Sequence, residues 1–213
     1  MGQMMKNKVL DILPFLLIGD LIIPFFLAST YQGYNHLTQV MSVLGNSRAP
    51  LHILYNIWLI MLGISMLLCN FKLYPIITEK SSSLAIILFA IIFIYAIGAC
   101  ILSGFFPVGE TKELKTISAK IHGFGSVIGF MLLTFAPLFI GLYFFKISNR
   151  FLGVISLICF AFSLLCFTLF VMADKPEFQG SIIAFEGLWQ RLSLLCMYFP
   201  IIALCISINH YSF

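Results

Sequence analysis

A carboxyl group in the middle of an apolar run is the costliest placement in this chain: Asp20 stands in "LLIGDLIIP", with Pro24 one turn further on. Removing an ionised group from water costs kilocalories, so a carboxyl placed there implies a hydrogen-bonded structural contact, a bound proton or a functional site. Further polar groups stand where other apolar runs begin. His52 and Asn56 lie in "APLHILYNIW", four apart and therefore on one face of a helix. Lys120 and His122 lie in "KIHGFG", and Glu186, Trp189, Gln190 and Arg191 in "FEGLWQRL".

These residue types support three chemistries. Arg191 offers a planar fork of donors suited to phosphate. Lys120 and Arg48 add charge, and Trp189 suits headgroup depth. His52, Asn56, Lys120, His122, Glu186, Trp189, Gln190 and Arg191 thus form a candidate lipid or ligand site. Asp20, protonatable near a bilayer centre and flanked by Pro14 and Pro24, with Pro137 and Pro200 in other runs, suits a proton-coupled transport path. For hydrolysis the candidates are Asp20, Ser42, His52 and His122: Ser42 as nucleophile, His52 or His122 as base and Asp20 as orienter, or the histidines and Asp20 around a metal. The chain has no GxSxG, HExxH or HxxxH pattern. Its six cysteines form no CxxC pair and read as small apolar fillers, so neither disulfides nor a structural zinc site is expected, and no resident metal or cofactor is assigned.

The elements that must carry these residues follow from composition. Of 213 residues, 61% are hydrophobic and 9% charged, against about 25% charged in a soluble domain. Such a chain lacks the polar residues to cover a globule in water. A bilayer core takes roughly 20 apolar residues as helix, and runs that fit occur at 9–29, 51–70, 83–104, 121–145, 151–173 and 187–208. The expected fold is all-α, a polytopic bundle of six transmembrane helices forming one domain over 1–213. No half-to-half repeat of the kind found in many transporters is apparent. The apolar part of the first run is too long for a signal peptide and reads as a retained first helix.

Six serpentine spans put the starts of the second, fourth and sixth on one side. His52, Asn56, His122, Glu186 and Arg191 then converge there, at the mouth of the bundle, where a shared pocket is the least costly place for them. Glu186 and Arg191 are five apart, so Arg191 is expected to point inward, free for another helix or a bound anion. Loop 29–50 should lie along the interface with Tyr31 and Tyr34 at headgroup depth, bringing His36, Ser42 and Arg48 to the same mouth. Pro107 and Gly109 end the third run, and Gly125 with Gly129 form a GxxxG pair suited to a close helix contact.

Lysine and arginine placement gives the orientation. One side holds Lys6, Lys8, Lys72, Lys80, Lys146 and Arg150, and the other Arg48, Lys112, Lys115, Lys120, Lys175 and Arg191. The numbers are equal, but Lys6 and Lys8 directly precede the first span and the Lys146–Arg150 turn is purely basic. Both termini are therefore expected in the cytoplasm. The net charge of +4 suits a membrane surface, and no basic stripe with interleaved aromatics points to nucleic acid.

The succession "YQGYNHLTQVMSVLGNSRAP", "LYNIWLIMLGI", "FPVGE", "IHGFGSVIGF" and "GLWQRL" resembles the bacterial and archaeal membrane family called domain of unknown function 998. The resemblance covers nearly the whole chain. It rests on Ser42, Leu44 and Gly45, on the Phe106–Pro107 turn, on His122, and on the Gln190–Arg191 pair. A more distant likeness is to the Frag1, DRAM and Sfk1 group, linked to lipid handling and autophagy. The resemblance implies a membrane bundle and no settled activity; the residues themselves make a membrane lipid the expected partner, and the expected location is the bacterial cytoplasmic (inner) membrane. The acidic residues that could follow the Phe-Pro turn are reduced to Glu110, which argues against a metal there.

Overall fold

With no water in hydrocarbon to bond free N–H and C=O groups, long apolar runs satisfy their backbone internally and become helices. The computed structural model describes residues 2–109 and 116–211, with side chains over 10–109 and 116–208. Its helices are α1 (Gly2–Ala28), α2 (His52–Thr78), α3 (Ser82–Tyr95), α4 (Ser103–Phe105), α5 (Ile117–Leu133), α6 (Ala136–Lys146), α7 (Arg150–Met172) and α8 (Glu186–Tyr211). A π turn, Ala96–Leu102, joins α3 to α4. Six spans result: α1, α2, α3 through α4, α5 with α6, α7 and α8.

The spans close into a ring in which α8 packs against α1, α6 and α7. Since these helices are apolar nearly all round, side-chain fit selects the inward faces rather than polarity. On α2 the buried stripe is Tyr55, Leu59, Leu62, Met66, Cys69, Leu73 and Ile77, a run of three- and four-residue steps. That stripe explains why the second span continues to Thr78, beyond the expected end at 70. Leu73 and Ile77 keep it packed while Lys72, off the stripe, is exposed. On α8, Met197, Tyr198, Ile201, Leu204 and Cys205 are fully buried.

Backbones come close together where the third span crosses α5. A Cβ on Gly98 would strike the backbone of Gly125, and one on Gly129 would meet Tyr95 and Ala99 at 3.1 Å. The GxxxG face of α5 therefore seats the π turn. The fourth span is broken where Pro137 lacks an N–H. Leu138 N–H donates to Phe135 O at 3.1 Å instead of continuing the α ladder to Thr134, and Ser163 Oγ on α7 donates to Thr134 O at 3.2 Å. Pro14, Pro24 and Pro200, by contrast, lie inside continuous helices.

Candidate functional site

The mouth lies where α1, the third span and α7 end and where α2, α5 and α8 begin. Over it sits segment 29–51. It turns through a 3-10 helix, Met41–Gly45, that drives Met41 and Leu44 into the core at 3% and 2% exposure. Long-range hydrogen bonds hold it. Met41 N–H donates to Gln190 Oε1 at 2.7 Å, Asn56 Nδ2 donates to Gly45 O at 3.1 Å, and Asn46 Nδ2 donates to Val108 O at 3.1 Å. Leu188 N–H donates to Leu37 O at 2.9 Å, an approach that Gly187 permits because a Cβ there would strike the carbonyls of His36 and Gln39.

Arg191 completes this fastening. Nη1 donates to the carbonyls of His36 (2.8 Å), Gln39 (3.2 Å) and Gly187 (2.8 Å), and Nη2 to Tyr34 Oη at 2.7 Å and His36 Nδ1 at 3.3 Å. The guanidinium also stands 5.8 Å from the Phe25 ring centroid and 6.0 Å from that of Tyr34. Burial raises the Tyr34 phenol pKa against the pull of Arg191, and burial followed by the Arg191 charge lowers that of His36. Arg191 thus points at the loop, and its two terminal nitrogens are taken by backbone and side-chain acceptors, while Nε is buried without a partner. The reason is spacing: five residues past Glu186, it falls on the flank of α8 facing segment 34–40.

Deeper in the bundle, Asp20 is 2% exposed. It lies about 12 Å below the mouth end of α1 at about 1.5 Å per helical residue. Trp58 Nε1 donates to its Oδ1 at 3.0 Å and Tyr198 Oη to its Oδ2 at 2.9 Å. Tyr198 Oη also pairs closely with Tyr95 Oη, so the polar group extends from α1 through α8 to α3. Gly19 makes the Trp58 contact possible, since a Cβ on it would meet the indole ring at 2.8 Å. Sequence reading missed Trp58, Tyr95 and Tyr198. Their signal was position: tyrosines in the interior of spans, away from the interfacial belts, need a partner for the hydroxyl.

Asp20 lines a cavity of about 300 Å³ together with Ser42, His122, Ser126, Glu186 and Gln190. His122 is 7% exposed, and its Nδ1 donates to Phe106 O at 3.0 Å. A carbonyl only accepts, so Nδ1 carries the proton. Sideways the wall is apolar. Phe130 on α5 meets Phe167 and Phe170 on α7 with ring centroids 5.7 and 5.6 Å apart, while the backbones of α5 and α7 do not approach closely. Above lies an open basin of about 890 Å³ that shares Val40, Val108, Gly109 and Glu186 with the cavity and includes Arg48 and Asp174.

The remaining candidates lie elsewhere. His52 Nδ1 donates to Ala49 O at 2.8 Å and caps its own turn, and Trp189 Nε1 donates to Ile183 O at 3.0 Å. Asn56 holds Gly45, and its Oδ1 is buried without a partner. Lys120 is exposed. His52, Asn56, Lys120, Trp189 and Arg191 therefore frame the mouth, whereas His122, Glu186 and Gln190 reach the cavity. Ser42 and His122 share that cavity, but the two oxygens of Asp20 bond Trp58 and Tyr198 in place of an imidazole. Among the described residues no three His, Cys, Asp or Glu side chains come together as metal ligands. Glu110, Lys112 and Lys115 lie outside the described residues.

Six spanning helices with polar side chains gathered at one mouth define an integral membrane protein of the small helical-bundle class. Within that class the chain belongs to the family described as protein of unknown function (DUF998), whose model matches residues 18–207. Neither the curated proteins nor the solved structures contain a match to it.

Proposed function

We propose that this protein binds a membrane amphiphile, with the polar head turned into the cavity toward Ser42, His122, Glu186, Gln190 and Asp20, and the apolar tail leaving between α5 and α7. The observation that supports this reading is the combination in one cavity of buried polar side chains with a lateral wall of phenylalanine rings. About 300 Å³ is room for a headgroup-sized moiety, at the small end of ligand pockets, so the tail must lie outside it. The polar set stands at the end of α1 away from Lys6 and Lys8, which fits a head drawn from the outer leaflet of a bacterial cytoplasmic membrane with both chain termini in the cytoplasm.

The site residues divide by role. His122, Glu186, Gln190 and Ser42 contact the head. Arg191, Asn56, Trp189 and His52 hold the loop and helix starts that shape the opening. The test is native mass spectrometry of protein released gently from its membrane. The wild type should retain a lipid of defined mass, and Ser126→Leu, which fills the cavity from α5, should lose it while unfolding at an unchanged temperature. A lipid-free wild type, or retention unaffected by the filled cavity, would refute the reading.

A further inference from the structure

The charges around the cavity are one-sided. Asp20 and Glu186 line it, and among the described lining residues there is no lysine or arginine. Of the nearby cations, Arg191 is bonded to the loop, Lys120 is exposed, and Arg48 lines the basin above rather than the cavity. A phosphate or carboxylate head would meet the buried carboxyl of Asp20, with His122 as the one basic side chain in the lining. An uncharged head would leave the buried carboxyl of Asp20 with its desolvation cost and no counter-charge. Tyr55 and Tyr95 line the same cavity, and electron-rich rings beside a carboxylate are the surroundings in which organic ammonium groups bind. Asp20 also has capacity left. A carboxylate offers roughly four acceptor positions, and two of them are taken by Trp58 and Tyr198.

We infer that the head carries a positive charge, an organic ammonium with Asp20 as its counter-ion and Tyr55 and Tyr95 as its aromatic walls. This rests on the amphiphile-binding reading above. Trp58 and Tyr198 serve as positioning residues that hold the carboxylate in one orientation.

The test uses full-length protein in a neutral maltoside detergent, with tryptophan fluorescence as readout because Trp58 touches Asp20. Three probes share a twelve-carbon tail: dodecyltrimethylammonium, its uncharged tert-butyl isostere and dodecyl phosphate. Wild type should bind the ammonium probe at least about tenfold more tightly than either of the others. Asp20→Asn should abolish that preference while melting like wild type. Equal affinity for ammonium and isostere would overturn the charge assignment and leave amphiphile binding standing. No saturable binding of any probe would overturn both. Should Asp20→Asn fail to fold, the comparison of ammonium with isostere on wild type decides by itself.

Discussion

Arg191 shows how residue type constrains a role without assigning it. A guanidinium next to a membrane mouth suits phosphate by its donor geometry, yet here the carbonyls of His36, Gln39 and Gly187 and the Tyr34 hydroxyl occupy it. Loss of the side chain would leave those acceptors in a half-buried crevice and release segment 34–40 from α8. Arg191→Ala should therefore cost about 3 kcal/mol or more, whereas Lys120→Ala, on an exposed side chain, should stay within about 0.5 kcal/mol. Denaturation in detergent micelles followed by circular dichroism compares the two, and equal stabilities would refute the fastening role. The local sequence, glutamate and arginine five apart, leaves the loop partners of Arg191 open because they lie more than a hundred residues away in the chain.

Among the elements, the π turn and the face of α5 form a tight joint. Gly98 and Gly125 bring backbone against backbone, so any side chain at Gly125 must push the third span aside. Gly125→Val should destabilise by about 1–3 kcal/mol through overpacking. Because His122 and Ser126 flank that position, the same change should distort the cavity and reduce amphiphile retention, measured by the mass-spectrometric assay. An unaltered melting temperature would mean that the two helices are not held at this distance. The GxxxG spacing was legible in the sequence, but its partner was not. A glycine pair announces a close contact without saying which neighbour makes it, and here that neighbour is a turn rather than a regular helix.

For the whole molecule the orientation is open to direct measurement. With both termini inside, a membrane-impermeant thiol reagent applied from outside should label cysteines engineered at exposed positions in 30–50 and 174–186 and should miss those in 79–81 and 147–149. The six native cysteines are all buried or half-buried, which makes their replacement by serine or alanine a practical background. The reverse labelling pattern would invert the assignment and place the amphiphile head in the inner leaflet.

The sequence by itself determined the class and the number of spans, because hydrocarbon imposes the same length and the same internal hydrogen bonding on every run that crosses it. It also marked Asp20 and His122, since polar groups at such positions are costly wherever the chain folds. Only the tertiary structure decided which of the marked residues share a cavity. Asp20 found Trp58 and Tyr198 on two other helices, His122 and Gln190 turned inward, and His52, Asn56 and Arg191 were taken up by the loop. Among apolar helices without a strongly polar side, rotation about the helix axis is set by the fit of glycines and aromatic rings against neighbours distant in the chain, and no local pattern encodes that fit.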